Sequence, residues 1–143
     1  MQRLNGKTPL SLQEMATEAV TARRVLVAAT RDNLSALSHS EREELDAFLD
    51  DVAAQGCFAT EVLVRADAVV ALLQAAIERA GGAPVKRWTE EGDGYLVGGT
   101  AKGHRIDCIL DALRMFLRHV QAVADRLEAE TQLARWREAA RNV

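Results

Sequence analysis

The sequence predicts a mainly α chain carrying one β-hairpin, and three observations carry that prediction. Apolar residues recur at helical spacing over long stretches on both sides of residues 81–103. The stretch between them, Gly81 to Gly103, is rich in glycine and contains Pro84, and it alone reads as strand, turn and strand. Aromatic residues make up only 4% of a chain that is 48% hydrophobic. A core built from Ala, Val and Leu suits helices that approach closely. At 143 residues the chain is most simply one domain, long enough to bury a substantial core.

The first helix is predicted over residues 8–37. Thr8-Pro9 offers a cap followed by proline at the first helical position, and Ser11 with Glu14 fits a capping box. Leu12, Met15, Ala19, Leu26 and Ala29 mark one apolar face, while Val20, Val27 and Leu34 mark a second, so this helix wants two packing partners. The second helix is predicted over 40–55, opening at Ser40 with Glu43 three residues on, burying Leu45, Phe48, Leu49 and Val52, and stopping at Gly56. Glu41, Glu43, Glu44 and Asp46 suit the positive end of that helix dipole, and their default role is a solvated helix start.

Residues 58–80 form the most apolar segment. It reads as one buried helix or as a helix–turn–helix broken near Ala66-Asp67, closed in either case by Gly81-Gly82 and Pro84. A hairpin is predicted over 85–97, its tip Glu90-Glu91-Gly92-Asp93-Gly94 supplying glycines for positive φ. Trp88 is expected to pack this hairpin onto the helices. The last helix is predicted over 104–141. Ile106, Leu113, Val120 and Leu127 repeat every seven residues with Ile109, Phe116 and Val123 between them, a seam of about three heptads. Beyond it, Leu133, Trp136 and Ala140 define a shifted stripe.

An unbroken helix over 104–141 spans ~57 Å at 1.5 Å per residue, whereas a compact chain of this size is roughly 35–40 Å across. The expected remedy is a homodimer in which the terminal helices intertwine. Its predicted interface is Ile106, Ile109, Leu113, Phe116, Val120, Val123, Leu127 and Trp136.

The order of elements resembles the MarR-like winged-helix regulators over residues 37–105. Leu37-Ser38-His39-Ser40 looks like that family's entry to its second helix, and Ile77-Glu78-Arg79-Ala80-Gly81 like the end of its recognition helix. Val85-Lys86-Arg87 resembles a first wing strand, and Val97-Gly98-Gly99-Thr100-Ala101-Lys102-Gly103 a second strand running into the last helix. The resemblance implies a winged-helix-like α bundle, dimerisation through long terminal helices, and DNA binding. Three departures weigh against the DNA function. The segment between Gly56 and Gly81 is short for two helices and a turn. The would-be recognition helix reads Asp67-Ala68-Val69-Val70-Ala71-Leu72-Leu73-Gln74, with little that reads a base edge. The wing tip is acidic, where DNA affinity needs phosphate neutralisation.

A net charge of −3 gives no overall drive toward nucleic acid or anionic membrane. The positions open to an anion or to DNA are Gln74, Arg79, Lys86, Arg87, Lys102 and Arg105, the last four expected near the root of the hairpin beside a helix N-terminus. Each has an ordinary role as a solvated strand or cap residue. His104 and Cys108 lie i, i+4 with Asp107 and Asp111 near. Two to four ligands on one helix, without a second cluster, do not make a metal site. Cys57 and Cys108 read as buried thiols, and His119 as a partly buried polar residue beside the seam. No nucleophile elbow or facing carboxylate pair points to an enzyme, and no cofactor is implied.

The sequence therefore predicts a non-catalytic regulatory or adaptor protein acting as a homodimer through protein contacts. A MarR-like DNA-binding regulator and a helical-bundle assembly subunit with an interaction arm are the alternatives. The absence of a signal-like start or a long apolar run predicts a cytoplasmic protein with no membrane partner.

Overall fold

The computed structural model describes residues 10–55 and 60–142. Cys57, Gly56, Phe58 and the Thr8-Pro9 cap lie outside the described residues.

Helix α1, Leu12–Asp32, opens with the capping box expected at Ser11: the Glu14 amide donates to Ser11 Oγ at 3.1 Å and the Ser11 amide to Glu14 Oε1 at 3.2 Å. It ends at Asp32 rather than running to residue 37. Asn33 takes the C-cap, its amide returning to Thr30 O at 3.2 Å and its side chain donating to Ala29 O at 2.8 Å. A single 3₁₀ turn, Leu34–Ala36, follows.

Helix α2, His39–Gln55, begins one residue before Ser40, and its cap is Ser38. The Glu41 amide donates to Ser38 Oγ at 3.3 Å, and the Ser38 amide to Glu41 Oε1 at 2.7 Å. The capping box is thus Ser38/Glu41, two residues before the Ser40/Glu43 pair that sequence suggested. Its tie-breaker is tertiary: Glu41 is buried and also pairs with Arg79, a partner that Glu43 at the surface lacks.

Helix α3, Thr60–Arg79, is continuous, so the choice left open by sequence resolves to one helix, with no turn at Ala66-Asp67. Nothing between these bounds breaks a helix, and Val62, Ala66, Val69, Leu73 and Ala76 form one buried stripe. Strands β1, Val85–Trp88, and β2, Gly94–Val97, pair antiparallel with Val85 opposite Val97 and Trp88 opposite Gly94. Helix α4, Ala101–Arg141, starts three residues before His104 because Thr100 caps it, its Oγ1 accepting from the Gly103 amide at 2.9 Å.

The α4 helix is the axis of the bundle, with α1 and α3 packed on it and α2 packed on α3. The α1 helix runs antiparallel to α4: Arg105 bonds Asp32 O and Asn33 near one end, and Arg126 donates to Leu10 O at 3.0 Å near the other. Leu26, Phe48, Leu73, Ile109, Leu113 and Phe116 meet in one core with no exposed surface.

That core corrects the predicted interface. Ile106, Ile109, Leu113, Phe116, Val120 and Val123 are buried inside the single chain, covered by the chain's own helices, so the heptad seam is intramolecular. A seven-residue repeat states that a helix has a partner without saying whose. Of the predicted interface only Leu127 and Trp136 remain exposed.

Candidate functional site

Two elements project from the bundle, and both carry apolar surface. The first is the hairpin, whose root is a tight knot. The Thr100 amide donates to Gly82 O at 3.0 Å and Thr100 Oγ1 to Ala80 O at 2.7 Å, joining the end of α3 to the start of α4. Gly103 in the first turn of α4 lies so close to the Gly82 carbonyl that a Cβ there would overlap it, and Gly99, at φ +64°, abuts Ala83 and Pro84. At the tip, the Thr89 amide donates to Asp93 O at 2.8 Å and the Asp93 amide to Thr89 Oγ1 at 3.1 Å.

Beyond that root the hairpin stands free. Every residue of both strands is exposed, including Val85, Trp88, Tyr95, Leu96 and Val97. Alternation puts Val85, Arg87, Tyr95 and Val97 on one face and Lys86, Trp88 and Leu96 on the other. Trp88 therefore does not pack the hairpin onto the bundle: it is 63% exposed, with Lys86 Nζ over its ring at 4.6 Å. Both strands are edges, and an isolated pair of strands is at best marginal in water.

The second projection is the end of α4. Burial on this helix stops at Val123, and from Leu127 to Arg141 every residue is exposed, Trp136 to 75%. This stretch extends roughly 20 Å past the point where Arg126 meets the start of α1.

The basic residues do not form one patch. Arg79 is held by the buried Glu41 carboxylate, which neutralises it. Arg105 is spent on Asp32 O at 3.2 Å and Asn33 Oδ1 at 3.3 Å. Lys86 and Arg87 point to opposite faces of the hairpin, and Lys86 lies on Trp88. Lys102 and Gln74 are exposed, Lys102 on the first turn of α4 and Gln74 on the outer face of α3. Sequence reasoning missed the Glu41–Arg79 pair because it joins residues on different helices. Its only local signal was an acid three residues after a capping serine.

His104 Nε2 lies 3.9 Å from Cys108 Sγ, and the thiol is half-buried rather than buried. Asp107 beside them has its carboxyl raised above the usual range, by burial first and the Asp111 carboxylate second, with Arg114 and His104 pulling the other way. Among the described residues no three His, Cys, Asp or Glu side chains gather as metal ligands. His119 is half-buried, its Nδ1 3.7 Å from Glu18 on α1. Between α1 and α2 lies a groove of about 300 Å³, where Val27, Leu34 and Leu49 meet Arg23, Asp46 and Asp50. The second apolar face of α1 ends in it, and Arg23 Nε is buried there without an acceptor. No described helix is long and apolar enough to cross a membrane.

No family model, curated protein or solved structure matches the chain.

Proposed function

We propose that this chain is a non-catalytic adaptor or assembly subunit, a helical bundle that acts as a homodimer and through protein contacts. The observation that carries the reading is the hairpin. Five large hydrophobic side chains sit on two short strands that bury none of them. Exposed apolar surface of this kind, rooted on a rigid knot, is what a protein-binding arm requires. The continuous α3 also favours an assembly bundle over a DNA reader, since it leaves no separate recognition helix within residues 60–79. The pairing of Arg79 and Arg105 and the acidic hairpin tip work against phosphate binding in the same way.

The test has two arms. Mass in solution is expected to give a dimer, and a monomer at every concentration contradicts the homodimer. Titration of random and genomic DNA fragments across a salt series is expected to show no binding at low salt. Tight binding that falls steeply with salt replaces this reading with a DNA-binding regulator of MarR-like type.

A further inference from the structure

The far side of α4 carries a second heptad line that the bundle does not use. Met115, Ala122, Ala129 and Trp136 recur every seven residues, and all four are exposed. In the projecting part, Leu133 and Ala140 fill the intervening positions, so that Ala129, Leu133, Trp136 and Ala140 form one stripe. Counting 100° per residue, this stripe is centred roughly 150° around the helix from the buried line of Ile109, Phe116 and Val120. It is therefore not a continuation of the intramolecular seam. It faces away from the chain's own core, and its largest member, Trp136, is the most exposed of the chain's large hydrophobics among the described residues.

The charges beside the stripe specify what covers it. With Leu133 and Ala140 at the a positions and Ala129 and Trp136 at d, the e positions are Glu130 and Arg137 and the g positions are Gln132 and Ala139. In an antiparallel pair of helices, e faces e and g faces g. Setting Leu133 of one copy against the partner's Trp136 brings Ala129 opposite the partner's Ala140. It also brings Glu130 opposite the partner's Arg137, and two-fold symmetry makes each of these contacts twice. A slide by one heptad puts Glu130 against the partner's Glu130. A parallel pair faces Glu130 with the partner's Asp125, again a like charge. Only the first arrangement joins large apolar side chains and opposite charges together. Arg137 makes no ion pair among the described residues, while Glu130 accepts from Arg126 Nε at 3.1 Å and has half its surface free.

We propose that the α4 projections of two copies pair antiparallel through this stripe, Leu133 against the partner's Trp136, with reciprocal Glu130–Arg137 ion pairs. The proposal rests on the homodimer reading and names its surface. The pairing uses one short helical segment from each copy and is well below the roughly 1,600 Å² of standard stable interfaces, so the dimer is weak and reversible rather than obligate.

Sedimentation equilibrium over a concentration series tests it. The full chain is expected to pass from monomer to dimer at micromolar concentrations. Trp136→Asp, at a site exposed in the monomer, is expected to stay monomeric with an unchanged helical circular dichroism spectrum. Glu130→Arg and Arg137→Glu are each expected to weaken dimerisation about tenfold, and the double exchange to restore most of it. That rescue separates the intermolecular pair from the loss of the Arg126–Glu130 contact within one helix. A wild-type chain monomeric throughout overturns both the homodimer and this surface. A dimer indifferent to Trp136→Asp keeps the homodimer and overturns this surface. A Glu130→Arg chain that dimerises more tightly overturns the antiparallel orientation.

Discussion

The two ends of α4 are one helix with two fates. From Ile106 to Val123 its apolar residues are enclosed by α1 and α3. From Leu127 to Arg141 the helix continues with the same regularity, and none of the described residues covers it. The difference lies in how far the other helices reach, since α1 begins beside Arg126. Helicity past that point comes from sequence, with Ala, Glu, Arg, Gln and Leu all good helix formers. Enclosure requires neighbours, and regular spacing alone does not supply them.

Substitutions on the two ends sharpen this contrast most. Phe116→Ala, which empties a fully buried site, is expected to cost about 3–5 kcal/mol of stability in urea or thermal unfolding. Leu133→Ala in dilute protein is expected to cost less than about 0.5 kcal/mol. Equal losses would mean that the projection is part of the cooperative fold.

Next in size is the root of the hairpin. Gly103→Ala forces a methyl group into the Gly82 carbonyl, and a loss of about 1–3 kcal/mol in chemical unfolding is expected. No measurable loss would show that α3 and α4 can separate freely at that end. The basic residues give a smaller contrast. Arg79→Ala leaves the buried Glu41 without its cation and is expected to cost about 1–2 kcal/mol, whereas Arg87→Ala on the free hairpin is expected to change nothing. If both were neutral, the Glu41–Arg79 pair would have no structural role.

The smallest effect concerns pH. A carboxyl raised on folding holds its proton more tightly in the native state. The contribution of Asp107 is therefore full below its ordinary value of 3.8 and is lost as pH rises through the elevated folded value. Asp107→Asn is expected to flatten that part of the stability profile and to raise stability slightly at neutral pH. An unchanged profile would show that Asp107 contributes nothing to the pH dependence of stability.

Much of this fold was legible in the sequence, and the failures have physical causes. The Ser11 capping box, the hairpin and the long last helix depend on local spacing and stand where spacing puts them, except that the Thr100 cap starts α4 at Ala101. The cap of α2 did not: Ser38 and Ser40 are both followed by glutamate after three residues, and burial of Glu41 against Arg79 decided between them. Trp88 was misplaced because a hairpin's sequence sets its turn and register and leaves its angle to the bundle free. Sequence alone points Ile106 to Val123 at a second subunit, because a heptad line is the same whether its partner is α1 or another copy. The anion candidates were read singly, and the pairings that occupy Arg79 and Arg105 join distant parts of the chain. The exposed far stripe of α4 was half visible, as Leu133, Trp136 and Ala140, but only the burial of the first seam showed that this stripe faces elsewhere.

If α4 beyond Arg126 pairs with a second copy, as proposed, the bundle folds without it. Removing residues 127–143 tests it directly, with urea unfolding and sedimentation measured on the same sample. The expected chain still unfolds cooperatively, with stability within about 1 kcal/mol of the full chain's monomer, and no longer dimerises. A truncated chain that loses cooperative unfolding, or that dimerises as before, contradicts it.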